Sequence, residues 1–102
     1  METNCGSTAY KSPEIILGQS YNPQSLDIWC LGIVLYSLLS AELPFEESST
    51  KKTINKIANI SYKMKDHFSP EVQELITMIL QPEKTRATLK DIKESAFFKK
   101  YT

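Results

Sequence analysis

The chain has little of what most chemistry needs: two cysteines, one histidine, three glycines and no net charge over its 102 residues. Cys5 and Cys30, one in a polar stretch and one inside an apolar run, make neither a disulfide framework nor a metal quartet. Reduced thiols of an intracellular, cytoplasmic protein are the expectation. His67 has only Asp66 beside it, so no Ser/His/Asp or metal-ligand spacing exists, and it reads as a surface or partly buried histidine with no metal to hold. Gly6, Gly18 and Gly32 are too dispersed to build a phosphate cradle. Twelve basic and twelve acidic residues cancel without a long block of one sign. That excludes nucleic acid or an anionic membrane as partners bound by bulk charge, and Lys99-Lys100 is too small a cluster to alter this. The opening M-E-T-N-C carries no basic-then-apolar segment, which argues against a secretory signal.

What is present is organised around Ser25 to Ala41, S-L-D-I-W-C-L-G-I-V-L-Y-S-L-L-S-A. From Ile28 to Leu39 only Gly32 and Ser37 are not bulky or apolar, so a helix here is apolar on every face and belongs inside a protein. The run is shorter than the roughly 20 residues of a membrane span. Ser25 is a possible N-cap, Asp27 lies in the first turn on the positive end of the dipole, and Pro44 marks the stop. A chain of this length suits one small domain, able to bury something over about 60% of its unfolded surface.

The remaining segments read as loops and short helices. Met1 to Tyr10 is polar and small, a loop; Ser12-Pro13-Glu14 is a cap, proline and acid at a helix start, and Gly18 closes that helix. Ser69-Pro70-Glu71 repeats the signal, and Val72, Leu75, Ile76, Ile79 and Leu80 then fall at i, i+3, i+4, i+7 and i+8, the clearest amphipathic pattern in the chain. Pro82 ends it. Thr53 to Ala58, with Ile54 and Ile57, is weakly amphipathic; Thr88 starts a last helix with Leu89 and Ile92 facing inward, and Phe97, Phe98 and Tyr101 form an aromatic tail. No sustained period-2 alternation and no internal repeat occur. The predicted class is all-α, with residues 1–18 as a leading segment and short helix, 24–41 as central helix, and 48–58, 69–80 and 88–99 as distal helices.

Four motifs in order and in register, T-N-C-G-S-T-A-Y-K-S-P-E at Thr3 to Glu14, D-I-W-C-L-G at Asp27 to Gly32, L-P-F at Leu43 to Phe45 and E-K-T-R-A-T at Glu83 to Thr88, resemble the C-terminal half of a eukaryotic Ser/Thr protein kinase domain. The resemblance leans to the calmodulin-dependent and AMP-activated group and covers essentially the whole chain, from activation segment to last helix. It implies a partial kinase C-lobe built around one buried central helix. Thr3 matches an activation-loop phosphorylation position, against the plain reading of an exposed loop threonine. Cys5, Gly6, Ser7 and Tyr10 match the segment that cradles the substrate residue following the phosphoacceptor. Ser12-Pro13-Glu14 matches A-P-E with serine for alanine, and Glu14 is expected to form a buried ion pair with Arg86. Asp27 matches the aspartate that anchors the catalytic loop, while as a helix-dipole carboxylate it needs no such role. Trp29 and Gly32 match packing positions. Leu43-Pro44-Phe45 and the helix after it match a face that docks substrates or regulatory proteins, or else simply plug the core.

The family's phosphoryl transfer needs a Gly-rich loop, a strand lysine paired with a helix glutamate, and the H-R-D and D-F-G motifs, none of which is in these residues. The expectation is no cofactor in this chain, with ATP and magnesium bound by the complete kinase, and a missing N-terminal kinase half as partner beside a protein substrate or regulator. A non-catalytic, kinase-like helical module binding a protein is the alternative, and a decayed remnant a third reading. With a covering helical layer expected in the other half, an apolar patch on the central helix is expected to be exposed and the isolated chain to be prone to association.

Overall fold

A computed structural model describes residues 7–101. The described residues are helical and contain no strand, as the all-α reading required: α1 (Ser7–Tyr10), α2 (Pro13–Ile16), α3 (Pro23–Ser40), α4 (Thr50–Ala58), α5 (Pro70–Ile79), α6 (Leu89–Lys93) and α7 (Ala96–Tyr101). None of the described helices is long and apolar enough to cross a membrane.

Most of the described starts use one device, a short polar side chain that accepts a hydrogen bond from an otherwise orphaned amide of the first turn. Ser12 caps α2, Ser49 caps α4, Ser69 caps α5, and Thr88 caps α6 in a reciprocal box with Asp91. The central helix departs from expectation in its N-cap. Its N-cap is Asn22, whose Oδ1 accepts from the Gln24 and Ser25 amides, with Pro23 at the first helical position. Ser25 is therefore inside the helix and free for another task. At the other end Ala41 takes a left-handed conformation, φ 62°, and its N–H closes on the Ser37 carbonyl, so the helix stops three residues before Pro44.

α3 packs on α5, and α5 in turn on α7. The buried stripe of α3 is Ile28, Trp29, Gly32, Ile33 and Tyr36. Gly32 lets the two helices close, since a Cβ there would collide with Ile79 Cγ2. α5 returns Val72, Leu75, Ile76 and Ile79 to the same core, and Phe45, Ile57, Phe68 and Ile92 complete it. Trp29 stacks on Phe45, with centroids 5.5 Å apart and planes 10° apart. Phe45 meets Tyr62 edge-on at 5.7 Å, and Tyr36 does the same with Phe68 at 5.4 Å.

Three expectations need correction. Residues 7–10, read as loop, form the helical turn α1, which packs on α4 together with α2. The last helix, expected over 88–99, is two helices, because the buried Ser95 donates its hydroxyl to the Ile92 carbonyl and accepts the Phe98 amide, ending one and starting the next. Ile92 is buried as expected, but Leu89 is 55% exposed on the outer side of α6. As expected, α3 is not covered all round: Leu31, Val34, Leu38 and Leu39 face outward, Leu38 being 77% exposed. That open face is the patch the all-round apolar run led one to expect.

Candidate functional site

The site is assembled at the N-terminal end of α3, where three distant segments of chain converge. Pro13 and the cap on Ser12 start α2 so that Glu14, in its first turn, is carried into the interior. A turn after Pro82 brings Arg86 to the same place, with its amide bonded to the Glu83 carbonyl and Ala87 bonded back to Met78. The two charged groups meet as a bidentate pair: Arg86 Nη1 donates to Glu14 Oε2 at 2.7 Å and Nη2 to Oε1 at 2.8 Å.

Arg86 is satisfied on its remaining sides as well. Nη1 also donates to the carbonyl and hydroxyl of Ser25, at 3.1 and 3.2 Å, and Nε donates to the Gln81 carbonyl at 3.0 Å. Its guanidinium lies over the Trp29 ring, 4.9 Å from the centroid. Both partners are buried, 3% and 6% exposed. A buried charge persists only when paired and hydrogen-bonded, and this one is both. Burial alone would push the Glu14 carboxyl upward; the Arg86 hydrogen bonds, the backbone amide of Glu14 itself and the Arg86 charge outweigh it and hold the carboxyl below its ordinary value. The pair therefore ties α2 to α3 and to the turn before α6 as an ion pair at neutral pH.

One hydrogen bond beside the clamp had no signal in the sequence. Glu83 Oε2 accepts the backbone N–H of Asn22 at 2.7 Å, across 61 residues, and so holds the cap of α3 against the turn that carries Arg86. Nothing local in E-K-T-R distinguishes Glu83 from an ordinary exposed glutamate. Ser25 is the second residue whose role emerges only in three dimensions, as a ligand of Arg86 in place of the expected helix cap.

On the outer side of the same corner lies an open groove of about 900 Å³, lined by Asp27, Ile28, Leu31, Glu83, Thr88 and Leu89 among others. Asp27 is exposed and forms no hydrogen bond among the described residues. It heads a line down one face of α3, with Leu31, Val34 and Leu38 following at i+4, i+7 and i+11. Cys30, half-buried on α3, is a poor nucleophile: burial pushes its thiol up, the Asp27 charge adds to that, and Arg86 offsets only part. His67 is exposed, with its Nε2 3.1 Å from the Leu39 carbonyl in the last turn of α3. No group of three or more His, Cys, Asp or Glu residues that could hold a metal occurs among the described residues.

Of the other residues singled out in the sequence, Thr3, Cys5 and Gly6 lie outside the described residues. Ser7 opens α1 and Tyr10 closes it, the latter 38% exposed. Pro44 and Phe45 are both buried and Phe45 stacks on Trp29, so this short motif plugs the core, whereas α4 beyond it keeps Lys51, Lys52 and Ile54 exposed.

The family model described as Protein kinase domain matches residues 1–98. The human SNF-related serine/threonine-protein kinase is 41% identical over 93 residues, which is 90% of this chain and 12% of that protein. Probable serine/threonine-protein kinase HSL1 of Saccharomyces cerevisiae is 41% identical over 103 residues, covering 99% of the chain and 7% of the yeast protein. CBL-interacting serine/threonine-protein kinase 2 of Arabidopsis thaliana is 39% identical over 101 residues, 98% of the chain and 22% of the plant protein. The chain thus spans less than a quarter of the length of each of these relatives. With a buried Glu14–Arg86 clamp on a central helix and a match running from the first residue to 98, the chain belongs to the protein kinase family, among the serine/threonine kinases.

Proposed function

We propose that these residues are the C-terminal half of a Ser/Thr kinase domain of the calmodulin-dependent and AMP-activated group, from activation segment to last helix. In the complete enzyme they serve transfer of phosphate from ATP to serine or threonine of a protein. The observation that carries this reading is the corner at α3: a closed, bidentate Glu14–Arg86 pair on its inner side and an exposed Asp27 over an open groove on its outer side. The first is what a scaffold needs to hold the end of an activation segment. The second offers a carboxylate to backbone amides of another segment, which is how Asp27 would anchor a catalytic loop. The apolar line Leu31, Val34 and Leu38 then seats the N-terminal half of the domain.

In this reading Thr3 is the activation-loop phosphorylation site and Cys5, Gly6, Ser7 and Tyr10 cradle the substrate. ATP and magnesium do not fit the residues present. Asp27 shares the groove with Glu83, whose carboxylate is engaged by the Asn22 amide; no group of three or more metal-ligating side chains occurs among the described residues, and the three glycines stand apart. No phosphoryl-transfer step is assigned to this chain, and by itself it is expected neither to bind ATP tightly nor to transfer phosphate. The place of action is intracellular and cytoplasmic.

A second reading is favoured by α4, which buries Thr53 and Ile57 and presents Lys51, Lys52 and Ile54 outward. On that reading the chain is a non-catalytic module that binds a protein through this face. The two are separated by the intact mass of the native protein, captured with an antibody against residues 97–102 and assayed for phosphate transfer to a serine peptide. A mass well above that of 102 residues with transfer activity supports the kinase reading. A mass equal to 102 residues, without transfer, overturns it and leaves the binding module.

A further inference from the structure

Two side chains of the turn before α6 reach the first turn of α3, and they grip it at different points. Arg86 Nη1 donates to the carbonyl and hydroxyl of Ser25, while Glu83 Oε2 accepts the backbone N–H of Asn22 at 2.7 Å. Asn22 and Ser25 are three residues apart, as are Glu83 and Arg86, whose turn is closed by the Arg86 amide on the Glu83 carbonyl. A single attachment at Ser25 would leave the helix end free to pivot about it; a second one beside it stops the pivot. The Glu83 bond suits that task. A carboxylate accepting an amide at the positive end of an 18-residue helix makes a charge-assisted bond, roughly twice as strong as a neutral one. Asn22 is used on both sides at once: its Oδ1 caps the Gln24 and Ser25 amides while its own N–H is held by Glu83.

The same contact crosses the groove. Asn22 and Asp27 line it from α3, Glu83 and Leu89 from the turn and α6, so the Glu83–Asn22 bond joins its two walls. Asp27 forms no hydrogen bond among the described residues, so where it stands relative to the opposite wall depends on how the helix end is held. We propose that Glu83 is a positioning residue of this site: as a strut between the two walls it fixes the first turn of α3 and so presents Asp27 to the segment that Asp27 anchors. That anchored segment rests on the kinase reading; the strut belongs to this chain alone. It needs an acceptor at the reach of a glutamate side chain, which glutamine also supplies and alanine does not.

The test is Glu83→Ala and Glu83→Gln in the full chain at pH 7, read by amide hydrogen exchange and by the carboxyl-carbon NMR signal of Asp27. Glu83→Ala is expected to speed exchange at Asn22, Gln24 and Ser25 about tenfold and to move the Asp27 signal. Glu83→Gln is expected to stay within about threefold in exchange and to return the Asp27 signal most of the way to its wild-type position. Both variants remove the same charge, so the difference between them reports geometry. A tie that only adds stability would speed exchange and leave Asp27 in place. An Asp27 signal unmoved in Glu83→Ala, or the same in both variants, therefore overturns the strut. Should Glu83→Ala fail to fold, Glu83→Asp, shorter by one methylene, takes its place with the same expected outcome. Neither readout involves phosphate transfer, so a failed strut leaves the kinase reading untouched, and failure of that reading leaves the strut in place without its anchored segment.

Discussion

The two sides of α3 are chemically alike in sequence and opposite in fate. Towards α5 and Arg86, its side chains are enclosed, and Gly32 and Trp29 set the distance and the stacking. Along Asp27, Leu31, Val34 and Leu38 the same helix is open. Apolar composition therefore does not say which side of a helix this chain covers. What decides it is where the chain can bring a satisfied charge. The Glu14–Arg86 pair draws α2 and the turn before α6 onto one side, and nothing in residues 7–101 draws an element onto the other.

The sharpest way to break that contrast is to remove the charge on the closed side. Arg86→Ala leaves Glu14 buried and unpaired, and the expected cost is about 3–5 kcal/mol by chemical denaturation, with activity of a complete kinase falling alongside. Wild-type stability in that variant would remove the clamp from the account. Next in size is Gly32→Ala, whose Cβ runs into Ile79 Cγ2. Pushing α3 off α5 is expected to cost about 1–3 kcal/mol, read as a lowered melting temperature.

Acid sharpens the same contrast without mutation. Because the Glu14 carboxyl sits lower in the folded chain than in the unfolded one, its contribution is present in full above the ordinary value of 4.5 and is lost as the pH falls below it through the folded value. Urea midpoints are expected to hold between pH 7 and pH 5.5 and to drop below pH 4.5. An Arg86→Ala chain should show a weaker drop over that window. The smallest effect belongs to the open side. Leu38→Ser is expected to change stability by no more than about 0.5 kcal/mol while reducing self-association in sedimentation velocity. A large loss of stability there would mean that the face is closed after all.

Some of this was legible in the sequence and some was not, for separable reasons. The 3.6-residue periodicity of Val72, Leu75, Ile76 and Ile79 is local, and the structure buries all four. Glu14 and Arg86 lie 72 residues apart; only the family motifs paired them, and the structure joins them. The start of α3 was misplaced because Ser25 and Asn22 are both competent caps, and Pro23 favours the earlier one by pre-setting the first helical turn. α1 was missed because S-T-A-Y has no periodicity to read at four residues. Leu89 was misassigned because a five-residue helix does not fix which side faces the core. The Glu83 bond to the Asn22 amide is purely tertiary, and no pattern of residue types announces it.

The most direct test of the clamp as the organising contact is a double-mutant cycle between Glu14→Gln and Arg86→Met, followed by urea unfolding at pH 7. If the two groups stabilise the fold through each other, the double variant loses much less than the sum of the single losses, with a coupling of about 3 kcal/mol at the upper end of measured pairs. Additive losses, with no coupling, would contradict the account.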